Sequence, residues 1–163
     1  MIKKLSKDYL FDAFSIIESV VSKMNNESIF QWDEHYPTRE IIEKDIDAGH
    51  AFGFFHLDEL RGYIVLNNEY SPEYNSLEWT DKSGTSLIVH RLSIKADCQG
   101  QGIAKQLMIF AEEYAEINSY SSIKLDAFLD NKTALSLYEK LGYTNIGRVT
   151  FRKGAFNCYE KIL

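Results

Sequence analysis

Apolar residues at Leu10, Phe14, Ile17, Val21 and Met24 recur at alternating steps of four and three, which lays one stripe along a helix that ends at Asn25-Asn26. Ile2 to Leu5 reads as a short strand ahead of it. After the aromatic segment Phe30-Gln31-Trp32, Thr38 follows Pro37 and is placed to cap a second helix carrying Ile42 and Ile46, with Gly49 at its end. His50 to Leu57 and Leu60 to Asn67 are both strand-like, and only Asp58-Glu59 separates them, which predicts an antiparallel hairpin. The polar stretch Asn68 to Gly84 then predicts a long loop, of a length that often carries function.

The β-rich run Thr85 to Ile94 predicts a buried strand, broken by the polar turn Lys95 to Gln101. A long helix is expected to open at Gly102, with Ile103, Leu107, Phe110, Tyr114 and Ile117 as its stripe. Ser122 to Phe128 reads as another strand. Asp130 or Asn131 is placed to cap a short helix ending at Leu141-Gly142, and Tyr143 to Arg152 and Phe156 to Ile162 form a closing hairpin around Lys153-Gly154. The order βααββ, βαβ, αββ predicts an α/β chain with helices packed on a mixed sheet. Leu87–Ile94 and Ser122–Phe128 are its parallel neighbours, joined by a right-handed crossover.

Composition adds bounds to this picture. The chain has 163 residues, 45% of them hydrophobic, and neither a linker-like tract nor an internal repeat, so residues 1–163 are expected to form a single domain. Lys and Arg number 18 against 24 Asp and Glu, and the net charge of −6 without a basic cluster argues against nucleic acid and anionic membrane as partners. Cys98 and Cys158 are the only cysteines and are spaced neither as a disulfide framework nor as paired metal ligands. No apolar run approaches the ~18 residues that a membrane span needs. A cytoplasmic protein with no metal is the expectation.

Candidate chemistry concentrates in the strand-to-helix passage Leu92-Ser93-Ile94-Lys95-Ala96-Asp97-Cys98-Gln99-Gly100-Gln101-Gly102-Ile103-Ala104-Lys105. A helix N-terminus offers unpaired backbone N–H groups and partial positive charge, and glycines let a phosphate approach that backbone, so the passage reads as an anion cradle. A tight turn with no ligand is the competing reading of the same glycines. A dinucleotide fingerprint would need a third glycine where Lys105 stands, and a phosphate-loop motif would need Gly-Lys-Ser/Thr, so neither applies.

The passage resembles the acyl-coenzyme A motif of the GNAT-type N-acetyltransferases, Gln/Arg-x-x-Gly-x-Gly/Ala, through Gln99, Gly102 and Ala104. Arg91-Leu92-Ser93-Ile94 is similar to the family's pantetheine-binding strand end, and Asn131-x-x-Ala134-x-x-x-Tyr138-Glu139-Lys140-Leu141-Gly142-Tyr143 to its second cofactor motif. The resemblance implies the GNAT acyl-CoA N-acyltransferase fold, a central mixed sheet with helices on both faces. It implies acetyl-CoA as co-substrate, its pyrophosphate on the backbone of Gln99, Gly100, Gln101, Gly102, Ile103 and Ala104, with Lys105 adding charge. The pantetheine arm would lie along Leu92, Ser93 and Ile94 and meet Asn131 and Ala134, and Tyr138 would point its hydroxyl at the thioester sulfur.

Each residue has an ordinary structural alternative. Tyr138 shares a stripe with Leu135 and Leu141 and could be a packing residue. His90, two residues before Leu92, would share its face by strand alternation and could take the acceptor's proton, or could be a satisfied core histidine; Glu78 is the other candidate base. Cys98 is read as a bystander, since no activating partner is evident. Trp32, Asp33 and Glu34 lie where the family commonly builds its acceptor pocket, and the carboxylates would favour a cationic amine; a solvated loop competes. The expected function is acetyl transfer to a primary amine on a small molecule or peptide, by direct attack in a ternary complex, with a homodimer compatible. The alternative is a non-catalytic acyl-CoA-binding or regulatory module on the same scaffold.

Overall fold

A computed structural model describes residues 1–163. Seven strands are hydrogen-bonded in the order β1-β2-β3-β4-β5-β7-β6, where β1 is Ile2–Lys4, β2 Ala51–His56, β3 Glu59–Asn67, β4 Ser86–Ile94, β5 Ser122–Phe128, β6 Thr144–Phe151 and β7 Gly154–Ile162. The helices are α1 (Leu10–Asn26), α2 (Arg39–Asp47), α3 (Ile103–Ile117) and α4 (Lys132–Lys140). The βααββ, βαβ, αββ order is the one that the hydrophobic pattern predicts. No helix is long and apolar enough to cross a membrane.

Contacts sort the chain into two compact units, Met1–Leu66 with His90–Phe110 and Asn67–Val89 with Ala111–Leu163; β4 and α3 each begin in one and finish in the other. In the first, the buried face of α1 (Leu10, Ala13, Ile16, Ile17, Val20, Met24) joins Ile42 and Ile46 of α2 and Ala51, Phe55, Leu60, Tyr63 and Val65 of β2 and β3 in one apolar cluster. Thr38 caps α2 as expected, its hydroxyl accepting from the Ile41 N–H at 3.4 Å. In the second unit β5 runs antiparallel to β7 along its whole length, from Ser122↔Ile162 to Phe128↔Phe156, and buries Ile123, Leu125 and Tyr159. The parallel β4–β5 ladder pairs Ser86–Ile88 with Ser122–Lys124.

Three local expectations need correction. The β2–β3 turn is Leu57-Asp58 rather than Asp58-Glu59. Both of its residues have positive φ (48° and 63°) and His56 pairs with Glu59, the geometry that the twist of a two-residue hairpin selects even without glycine. The buried stripe of α3 is Ile103, Leu107, Met108, Ala111 and Ala115, whereas Ile117, the helix's last residue, is 82% exposed. Residues 68–84 are not a bare loop. They contain a 3-10 turn at Pro72–Ser76 and bury Tyr74 and Trp79, whose indole N–H donates to the Tyr74 carbonyl at 2.8 Å.

Candidate active site

In the first unit, β4 delivers the chain to the glycine loop through a kink. Arg91 sits at φ +50°, a conformation rare for a side-chain-bearing residue inside a strand. The kink interrupts the pleat, so alternation no longer relates half-buried His90 to Leu92 as the sequence reading assumed. Side-chain bonds hold Arg91 in place. Its Nε and Nη2 donate to the two Asp45 oxygens at 2.8 and 2.5 Å, and its Nη1 donates to the Tyr36 hydroxyl at 2.8 Å. The Tyr63 hydroxyl also donates to Asp45, at 2.9 Å, and burial beside that charge pushes the Tyr63 pKa well up. Asp45 is 7% exposed, so this is an interior ion pair satisfied at both carboxylate oxygens.

Beyond the kink, Ser93 is buried and donates its hydroxyl to the Arg91 carbonyl at 2.9 Å. Ile94 is buried too, and its carbonyl accepts from the Gln99 side-chain amide at 3.2 Å, which closes the loop on itself. The Lys95 ammonium pairs with Glu59. Gly100 and Gly102 both have positive φ (77° and 79°), and a Cβ on either would enter open space. The α3 N-terminus follows at once, and the N–H groups of Ile103, Ala104 and Lys105 have no acceptor within the helix. Gly62 of β3 seats that end of the helix: a Cβ there would meet Leu107, Ile103 and Ile94 at 2.9 to 3.2 Å. Gln101 and Lys105 are exposed.

Cys98, beside the loop, is 6% exposed and donates its thiol to Asp97 at 3.3 Å; burial and that carboxylate raise its pKa, which disfavours a nucleophilic thiolate. Trp32 is 8% exposed and belongs to the apolar cluster. Glu34 is exposed and pairs with His35 at 3.4 Å, and Asp33 turns its segment by accepting the His35 N–H at 3.0 Å.

In the second unit, Asn131 caps α4 by accepting the Ala134 N–H at 3.2 Å. Tyr138 is 6% exposed, its ring 6.1 Å from Tyr143 and 5.8 Å from Tyr159. Burial above all, then the nearby Asp126 charge, pushes its hydroxyl pKa up. Asp126 accepts the Tyr74 hydroxyl at 2.6 Å. Glu78 lies on the surface of its loop, 92% exposed and 3.2 Å from Lys82. No group of three or more His, Cys, Asp or Glu side chains is arranged to hold a metal ion.

The sequence reading passed over Asp45, Tyr36, Tyr63, Tyr74 and Asp126. Their partners lie from 18 to 55 residues away in sequence, so no local spacing marks them.

The sequence model of the acetyltransferase (GNAT) family matches residues 17–143. The chain belongs to that family. An uncharacterised N-acetyltransferase of Bacillus subtilis, YesJ, is 28% identical over 119 residues, 72% of this chain and 66% of that protein. The N-acetylaspartate synthetase of Xenopus tropicalis is 39% identical over 61 residues, 37% of this chain and 22% of that protein. This GNAT chain thus spans less than two-thirds of the length of these curated relatives. Among solved structures, a GNAT-family acetyltransferase of Streptococcus agalactiae superposes with a TM-score of 0.84 at 22% identity, covering 100% of this chain and 95% of that one. The PaiA N-acetyltransferase of Thermoplasma acidophilum, a complex with coenzyme A, gives 0.74 at 20% identity, covering 100% and 98%. These likenesses show the GNAT fold.

Proposed function

We propose that this GNAT chain is an enzyme that moves an acetyl group from acetyl-CoA to a primary amine by direct attack in a ternary complex. The observation that carries this reading is the pair Gly100 and Gly102, held at positive φ beneath open space at the start of a 15-residue helix. A phosphate needs that room and those backbone donors, and a simple turn does not. The pyrophosphate would rest on the N–H groups of Gln99 to Ala104, with Lys105 adding charge, and the pantetheine amides would pair with the Leu92–Ile94 backbone.

When bound, acetyl-CoA supplies an activated acyl thioester. The protein contributes position and proton control. Tyr138 is suited to donate a hydrogen bond to the departing thiolate. With its pKa raised further above a thiol's usual value of about 8.5, the proton stays mostly on the tyrosine, so the hydroxyl acts by stabilising charge more than by completing a transfer.

Calorimetry with acetyl-CoA, NAD and ATP tests the reading, aided by Gly102→Ala and Gly84→Ala. Gly84 also has φ +79° with open space around it, so both variants carry the same backbone strain, about 1 kcal/mol or slightly more. Acetyl-CoA alone should bind tightly, and only Gly102→Ala should weaken it, by about tenfold or more. Equal coenzyme affinity in both variants would reduce the glycines to turn formers.

A further inference from the structure

Five residues other than glycine have positive φ. Ser28, Leu57, Asp58 and Ser119 are in turns, where the reversal of the chain calls for it, whereas Arg91 is inside β4. A side chain in this conformation crowds its own backbone; glycine escapes that cost and takes the positive-φ positions of the following loop, Gly100 and Gly102. Local help for Arg91 comes from the Ser93 hydroxyl on its carbonyl. The rest of the hold comes from residues 46 and 55 positions away, all within the first unit.

Asp45 of α2 takes Nε and Nη2, one on each carboxylate oxygen, and Tyr36 takes Nη1, so all three guanidinium nitrogens are engaged. Tyr63 of β3 donates to Asp45 Oδ2 and fixes the carboxylate in turn. The Arg91 and Asp45 side chains are 11% and 9% exposed. With its nitrogens committed to protein oxygens, the guanidinium is poorly placed to take a phosphate itself. An interior ion pair of this kind adds little net stability over an apolar replacement of similar volume, but a planar fork on two carboxylate oxygens fixes position sharply. The residues that inherit that position are the next three, Leu92, Ser93 and Ile94.

The geometry points to Asp45 and Arg91 as positioning residues for the coenzyme: their ion pair holds residue 91 at positive φ and so sets the direction in which the Leu92–Ile94 backbone meets the pantetheine arm. This rests on the acetyl transfer proposed above. Without the clamp, a side-chain-bearing residue 91 relaxes toward the extended backbone of a regular strand, which turns the amides of residues 92–94 out of line. The coenzyme then binds only the fraction of molecules that return to the kink, and its affinity falls by that fraction. Conformation is what matters here, so a residue that adopts positive φ unaided can do without the clamp.

The test is calorimetry with two ligands, acetyl-CoA and 3′-phosphoadenosine 5′-diphosphate, which is the coenzyme without its pantetheine arm. Wild-type protein is compared with Arg91→Lys, with Arg91→Met plus Asp45→Asn, and with Arg91→Gly plus Asp45→Asn. The double variants strand no charge. Arg91→Lys keeps the charge beside Asp45, so it should fold even where the doubles do not, but an ammonium lacks the fork that engages both Asp45 oxygens and Tyr36. Arg91→Lys and the Met double should bind acetyl-CoA about tenfold more weakly than wild type, and the arm-less nucleotide within about twofold of it. The Gly double should bring acetyl-CoA back to within about threefold of wild type. Recovery with glycine is an outcome that neither a packing role nor the charge of the guanidinium produces. Wild-type affinity for acetyl-CoA in Arg91→Lys or the Met double, an equal loss of both ligands, or a Gly double no better than the Met double overturns this assignment alone. Failure of the wild-type protein to bind acetyl-CoA brings down the transferase reading and this one with it.

Discussion

Each of the two units sets an aspartate against a tyrosine hydroxyl, and the pairs differ in one partner. Asp45 accepts from Tyr63 at 2.9 Å and also receives the Arg91 guanidinium on both oxygens. Asp126 accepts from Tyr74 at 2.6 Å, and burial pushes its pKa up while that hydrogen bond pulls the other way. The first carboxylate is saturated, and its bonds fix the backbone kink at Arg91 ahead of the glycine loop. The second takes the Tyr74 hydroxyl on one oxygen in a setting that disfavours its charge. A buried charge whose partners are all present serves as framework, whereas burial of a carboxylate held by one hydroxyl raises its pKa.

Arg91→Met should break this contrast most strongly. Removing the guanidinium leaves Asp45 buried and uncompensated, and the expected loss is about 3 to 5 kcal/mol of stability, read as a lower midpoint in urea unfolding. Adding Asp45→Asn to Arg91→Met should recover much of that loss, because the stranded charge is gone. A single variant as stable as wild type would show that the pair is not framework.

Tyr138→Phe should act on chemistry and spare the fold. The ring keeps its contacts with Tyr143 and Tyr159, so the Tm should hardly move, while turnover falls by about 10²-fold, close to 2.7 kcal/mol of barrier. This is the low end of the range for a lost proton donor, as befits a hydroxyl that stabilises the thiolate rather than protonating it. Turnover within about twofold of wild type, with chemistry shown to limit the rate, would return Tyr138 to a packing role.

The smallest effect is expected on the stability of Asp126→Asn, and its sign opposes that of Arg91→Met. The folded-state pKa of Asp126 lies above the unfolded value, so the native protein binds more protons through that interval, and the group costs stability as pH rises from the unfolded pKa to the folded one. Relative to wild type, Asp126→Asn should therefore gain Tm at neutral pH compared with pH 4. A relative loss on going to neutral pH would mean that the carboxylate has an unrecognised cationic partner.

Legibility in the sequence followed the range of the interactions. α1, the Thr38 cap of α2, the Asn131 cap of α4 and the glycine loop were readable because each depends on residues within a few positions of one another. Failures began where alternation or helical phase was extended without knowing what lay opposite. Arg91 broke the strand pattern that tied His90 to Leu92, and Ala111 and Ala115 took the buried face of α3 that larger side chains were expected to fill.

By itself the sequence determined the order of elements, the parallel β4–β5 pair and a glycine turn leading into α3, because hydrophobic period, cap chemistry and glycine freedom are properties of neighbouring residues. Tertiary structure alone decided which carboxylates carry a counter-charge. Arg91 reaches Asp45 across 46 residues and Tyr74 reaches Asp126 across 52, and nothing in the chain near either aspartate distinguishes the one that gains a guanidinium from the one that does not. The energy of a buried charge depends on every group packed around it, and only folding brings those groups together.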